Sequence, residues 1–269
     1  MLQVHRMSSV VRRTLFRLCT AIGVPYGRLT SAADIHAFFR RLWPVDCGLP
    51  LERCGEYVVP GGLPPFEVVF SPGVGPTSSF ELPFAEQGIP CHLADASVDG
   101  PAVDHPLFRF SKKFVGARTE GDWISLDDWV GAAWPSGDRG LLQMDIEGAE
   151  FEAILAADRA TLRRFAMIVI EVHKLNMLVS QEGFALASLF VDRLLADFDV
   201  CHLHVNNYIR PLAHGGLSFP SDIELTLVRK DLSRRGAPVA RLPHPLDQPA
   251  TRRKPDPDLH PRFEAGVLM

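Results

Sequence analysis

The residues best equipped for chemistry stand at the ends of apolar runs. Leu141-Leu142-Gln143-Met144 passes directly into Asp145-Ile146-Glu147-Gly148-Ala149-Glu150, so three acids and a glycine fall where a buried strand hands over to a helix. Ligands of open α/β sheets bind just outside the carboxyl ends of such strands. A second apolar run, residues 166–170, ends in Glu171-Val172-His173, and a third starts at Phe198, carries His202 and His204, and breaks out at Asn206. Ile223-Glu224-Leu225-Thr226-Leu227-Val228 reads as the last strand. Strand side chains alternate between faces, so Glu171 shares a face with His173, His202 with His204, and Glu224 with Thr226. Imidazoles beside carboxylates suit general acid–base work. Asp145, Glu171, His173 and His204 also offer the oxygen and nitrogen donors that suit magnesium, manganese or zinc. The structural alternative is a hydrogen-bond network that satisfies buried polar groups. Glu147 and Glu150 read as acids favoured in a helix's first turn by its dipole.

A second constellation lies earlier in the chain. Phe66-Glu67-Val68-Val69-Phe70 reads as a strand and is followed by Ser71-Pro72-Gly73-Val74-Gly75-Pro76-Thr77-Ser78. Gly73 and Gly75 allow close approach of the backbone to a ligand, with the N–H groups of a following helix pointing at it. The next strand, residues 89–93, is followed by Asp95, about 20 residues past the second glycine, the place of the ribose-binding acid in nucleotide-binding βαβ units. Asp95 also suits the opening of the turn Ala94-Asp95-Ala96-Ser97. Ser78-x-x-Glu81 has the form of a capping box, and Pro83 is expected to interrupt that helix after its first turn. Gly73-x-Gly75-x-x-Ser78 lacks the last glycine of a dinucleotide fingerprint, which leaves a nicotinamide-dependent oxidoreductase as the weaker enzymatic alternative.

The elements that position these residues alternate between strand and helix patterns. Residues 108–115 read as one strand, and Trp123-Ile124-Ser125-Leu126-Asp127-Asp128-Trp129 as a passage from strand to helix capped by Ser125 or Asp127. Trp123 and Trp129 suit either a stack on an adenine or the core. Residues 151–165 and 181–198 read as helices.

Size and charge narrow the class. A chain of 269 residues, 46% hydrophobic, can bury one substantial core, and a net charge of −4 gives no general pull toward nucleic acid. The five cysteines are scattered without a C-x-x-C pair, which argues against a zinc ribbon or disulfide framework and for a reducing, cytoplasmic compartment. No apolar run approaches the roughly 20 residues that span a bilayer. Residues 1–41 hold seven arginines and the single acid Asp34, with helical patterning over residues 10–18. Such a basic helix either packs on its own domain or lies on a membrane surface or a nucleic-acid backbone. The tail from Asp231, rich in Pro and Arg, is expected to wrap the surface or remain mobile.

The order of these motifs resembles the FkbM-type family of class I S-adenosylmethionine-dependent methyltransferases. The resemblance is carried by Tyr57-Val58-Val59-Pro60, Ser71-Pro72-Gly73-Val74-Gly75, the block from Asp145 to Glu150, Ile170-Glu171-Val172-His173, His204-Val205-Asn206-Asn207 and Glu224-Leu225-Thr226. It covers residues 51–230, leaving 1–50 as a helical N-terminal arm and 231–269 as an irregular tail. It implies a Rossmann-like α/β fold: seven strands, the last antiparallel, with helices on both faces. It further implies S-adenosyl-L-methionine bound by Ser71, Gly73, Gly75, Asp95 and Asp145, and a last strand that brings Glu224 level with His173 and His204. The implied activity is O-methylation of a hydroxyl on a small molecule, a sugar or secondary metabolite. His173 or His204 takes the proton, with Asp145 and Glu171 beside them, and a bound divalent metal is the less favoured variant. Two positions depart from the class: Ser71 stands where an acid is usual and Thr77 where a third glycine is usual. A non-catalytic methyltransferase fold serving as a binding module is therefore the alternative.

Overall fold

The computed structural model describes residues 14, 27–251, 253 and 254. The basic pattern over residues 10–18 lies outside them, except for Thr14, which is helical.

A seven-stranded sheet organises the molecule. Its strands are β3 (Val68–Pro72), β4 (Cys91–Ala94), β5 (Phe108–Ser111), β8 (Gly140–Met144), β9 (Phe165–Val172), β10 (Phe198–Val205) and β13 (Ile223–Arg229), in the order β10-β13-β9-β8-β3-β4-β5. β13 runs antiparallel between β10 and β9, and the remaining pairs are parallel. This is the expected α/β architecture with its last strand reversed. Every residue of β8, β9 and β10 is buried, as befits strands covered on both faces.

Register sets the functional rim. Glu224 on β13 pairs with His204 on β10, as the reversed last strand is expected to arrange, but on β9 it lies opposite Glu171, two residues before the expected His173.

The helices follow from capping and spacing. α1 (Ala32–Arg41) begins at Ser31, whose hydroxyl accepts from the Asp34 N–H at 3.1 Å, and buries Ile35, Phe38 and Phe39 in the main core. This part of the arm packs on the domain. The hairpin β1 (Leu51–Cys54) and β2 (Tyr57–Pro60) follows it, and a second hairpin, β11 (Leu212–His214) and β12 (Leu217–Phe219), precedes β13. α6 (Gln181–Asp197) is capped by Ser180 and buries Ala187, Phe190, Val191 and Leu194, a three-four spacing that forms one apolar stripe.

Four expectations are corrected. Residues 108–115 form two strands, because the chain leaves the sheet edge after Ser111. β6 (Phe114–Gly116) then pairs in parallel with β7 (Trp123–Ser125). The helix expected over 151–165 is two, α4 (Glu150–Ala156) and α5 (Arg159–Leu162): Ala157 is extended and the Asp158 N–H donates to the Asp127 carboxylate at 3.0 Å. That carboxylate draws the backbone out of helical register. The cap of α3 (Leu126–Ala133) is Ser125, so Asp127 is free for this task. The capping box does not form, because Glu81 turns inward to Ser71. α2 (Leu82–Glu86) starts one residue later with Pro83 in its first turn, where a missing N–H costs nothing.

The fourth correction concerns the cysteines. Cys47 and Cys201 form a disulfide across 154 residues, with Cα atoms 5.8 Å apart. Cysteine usage therefore no longer argues for a reducing compartment. Beside this bridge the tail lies along the arm, the Val239 N–H donating to Pro44 and the Trp43 indole to Val239. Among the described residues no helix is long and apolar enough to cross a membrane.

Candidate active-site rim

Three strand ends are tied together where the glycine loop begins. The Asp145 N–H donates to the Pro72 carbonyl at 3.2 Å, joining the end of β8 to that of β3. Gly73 has φ +89°, and a side chain there would strike the Asp145 carbonyl oxygen, so the strand junction itself demands glycine. Gly75 differs: a Cβ on it would find its nearest neighbour, the Thr77 carbonyl, 3.9 Å away. Asp95 follows β4 and uses both oxygens. Oδ2 accepts from the Val74 N–H at 3.0 Å, and Oδ1 accepts from the Ser97 N–H at 2.7 Å and its hydroxyl at 2.6 Å. It opens a turn and clamps the glycine loop at once.

Ser71 faces inward. Its buried hydroxyl lies 2.5 Å from Glu81 Oε1 and 2.5 Å from Gln143 Oε1, while Gln143 donates to the Tyr57 hydroxyl at 3.2 Å. One hydroxyl proton cannot serve both oxygens. Burial pushes the Glu81 carboxyl up from its ordinary value, and when protonated it donates to Ser71, leaving the Ser71 proton for Gln143. The Ser71 side chain thus braces the floor beneath the loop.

The titratable cluster lies at the ends of β8 and β9. His173 Nδ1 is 2.9 Å from Glu150 Oε1, and Glu150 is fully buried. The same oxygen accepts from the Ile146 and Gly148 N–H groups, each at 3.1 Å, which fixes the carboxylate before the histidine meets it. The opposite ring nitrogen, Nε2, lies 3.7 Å from Asp145 Oδ1, 3.7 Å from Glu171 Oε1 and 3.9 Å from Glu147 Oε2. These separations are too long for hydrogen bonds. Asn206 donates to Glu171 Oε1 at 2.6 Å, and His204 Nδ1 lies 3.1 Å from Glu224 Oε2.

Crowded acids in a half-dry site hold on to protons. Burial, helped by Glu147 and Glu150 against the pull of His173, raises Asp145 to about 6. Burial and the charges of Asp145 and Glu224 raise Glu171 to about 7. Burial alone would lower His173, but the hydrogen bond and charge of Glu150, with Glu171 and Asp145, raise it to about 9.

The structure brings Asp145, Glu171 and His173 together, with His204 two strands beyond β9, on Glu224 of the intervening β13. His202, although on the same face of β10, stands off this group: its Nε2 is 2.9 Å from Asp247 Oδ1 in the tail, beside a cavity of about 300 Å³. Trp129 is core, edge-on to Phe70, and Trp123 lies half-exposed against Phe114. Glu150 and Asn206 are the residues whose part sequence reasoning missed. Glu150 is a helix-start acid as expected, but it turns back to the histidine, and no spacing rule announces that.

Residues 95–194 match the model of the methyltransferase FkbM domain, a stretch that holds Asp145, Glu150, Glu171 and His173 but neither the glycine loop nor His204. The expected resemblance is borne out over that stretch, which is similar to the methyltransferase FkbM domain. No curated protein matches the sequence. Among solved structures, a presumed methyltransferase from Thermoplasma acidophilum is 11% identical, with 63% of this chain and 70% of that one covered and a TM-score of 0.35. A TehB-like SAM-dependent methyltransferase from Corynebacterium glutamicum is 12% identical, with 82% and 98% covered and a TM-score of 0.33. Likenesses this remote carry no functional weight; the strand order of the chain itself defines the fold.

Proposed function

We propose that this domain uses S-adenosyl-L-methionine to methylate a hydroxyl oxygen of a small molecule, a sugar or secondary metabolite. The observation that carries the reading is the rim: a glycine loop and three ionisable side chains gather at adjoining carboxyl ends of β3, β4, β8 and β9. The loop fits an adenosine-bearing ligand. Gly75 borders open space, and the Asp95 carboxylate stands at the neighbouring strand end, where ribose hydroxyls are bound in this class of sheet. Bound there, the cofactor supplies an electrophilic methyl group.

The residues of the chain handle the acceptor. Methylation forms a carbon–oxygen bond as the carbon–sulfur bond breaks, and the hydroxyl proton must go elsewhere. Asp145, Glu171 and His173 face the space in which that proton is released, and Glu150 and Asn206 hold two of them in place.

Titration calorimetry with S-adenosyl-L-methionine tests the reading. Binding is expected in the wild type and at least tenfold weaker in Asp95→Ala. No heat with this ligand, together with heat from a nicotinamide cofactor, overturns the proposal in favour of hydride chemistry. Cofactor binding without turnover on any panel of hydroxylated sugars and phenols favours a binding module.

A further inference from the structure

We infer that Asp145, Glu171 and His173 form a binding site for one divalent cation of the manganese, zinc or magnesium type, placed to hold the acceptor hydroxyl. The ion's task rests on the methyl-transfer reading; its binding does not.

The spacing is the first ground. One ligand atom from each residue lies within 4.8 Å of the other two, with His173 Nε2 3.7 Å from both carboxylate oxygens. Atoms so spaced are too far apart to hydrogen-bond, yet they surround a centre about 2 Å from each, the reach of a small divalent ion. The second ground is an unsatisfied oxygen: Asp145 Oδ1, one of the three atoms, is buried without a hydrogen-bond partner. Buried polar atoms are seldom left so.

The third ground is the layer behind the three residues. Ligating histidines almost always give their other nitrogen to a carboxylate or carbonyl, which fixes the ring and the tautomer. Here Glu150, itself fully buried and held by two backbone N–H groups, accepts the Nδ1–H and so turns Nε2 toward the two carboxylates. Asn206 fixes Glu171 in the opposite sense, donating to its Oε1 and leaving Oε2 and the second lone pair of Oε1 for other partners. Asp145 and Glu171 follow or end neighbouring strands paired at Met144 and Ile170, so the frame is rigid. Glu147, largely exposed with its Oε2 3.9 Å from Nε2, stands on the solvent side, where an ion would keep positions open. An acceptor hydroxyl that enters such a position loses its proton to water more readily, because the ion's charge stabilises the alkoxide. Mixed carboxylate and imidazole donors suit these metals better than copper(I) or an iron–sulfur cluster.

The test uses the full chain, stripped with chelator and titrated with manganese(II) alone, followed by calorimetry and by the paramagnetic signal of free ion. One equivalent is expected to bind. Asp145→Asn and Glu171→Gln are expected to weaken binding at least 100-fold, and Glu150→Gln, which disturbs only the layer behind, about 10–100-fold. Asp192→Asn, which removes an exposed carboxylate on α6, is expected to leave binding unchanged; unfolding midpoints of all variants separate lost ligands from lost folding. Wild type that binds none of manganese, zinc or magnesium, or folded Glu171→Gln that binds as wild type does, overturns the inference. Cofactor binding measured in chelator keeps the two readings apart: cofactor without cation sinks the cation site alone, and cation without cofactor sinks the methyl-transfer reading alone.

Discussion

Glu150 Oε1 lies 2.9 Å from His173 Nδ1 and also accepts the backbone N–H groups of Ile146 and Gly148, so one buried oxygen shapes the turn after β8 and aims the histidine at the rim. The turn and the site are one construction. Glu150→Ala leaves two N–H donors without their acceptor and is expected to cost about 1–3 kcal/mol of stability, measured by denaturant unfolding. Glu150→Gln keeps an acceptor oxygen and is expected to lose less than half of that. Equal losses in the two variants would show that the turn does not depend on this oxygen.

The lower edge of the molecule supplies a pH prediction. Arg159 and then Arg163 hydrogen-bond the nearly buried Asp197 carboxylate at the end of α6 and hold it at about 2, below its ordinary 3.8. A depressed acid contributes stability above its unfolded value and loses that contribution as pH falls through its folded value. Wild-type unfolding free energy is therefore expected to fall between about pH 4 and pH 2 more steeply than that of Asp197→Asn. Parallel curves for the two proteins across this window would remove Asp197 from the acid response.

The Cys47–Cys201 bridge closes a loop long enough to restrict the unfolded chain strongly. Cys47→Ser is expected to lower stability by about 2–4 kcal/mol under non-reducing conditions. Dithiothreitol is expected to lower the Tm of the wild type toward that of the variant and to leave the variant where it is. A wild-type Tm indifferent to reductant would mean that the bridge contributes nothing.

Much of the rim was legible in the chain itself. Apolar runs ending in Asp145, Glu171 and Asn206 marked strand ends, because a strand buried on both faces has to stop where charge begins. Two-residue alternation set Glu171 with His173, and the place of the last strand set Glu224 opposite His204. These are local or register properties, and sequence carries them.

What only the tertiary structure decided are the partnerships between distant groups. Ser78-x-x-Glu81 has the composition of a capping box, yet Glu81 is taken by Ser71, which meets it only when β3 and the helix pack. Residues 151–165 suit a continuous helix, yet Asp127, thirty-one positions before Asp158, claims its backbone N–H. Cys47 and Cys201 are 154 residues apart and meet only because the arm lies along the edge strand β10. His202 and His204 are equivalent in the alternation of their strand, and the folded tail separates them by placing Asp247 at one and leaving the other on Glu224. In each case the sequence determined what a group could bond, while chain packing determined which competing partner arrived within about 3 Å, the range over which a hydrogen bond forms.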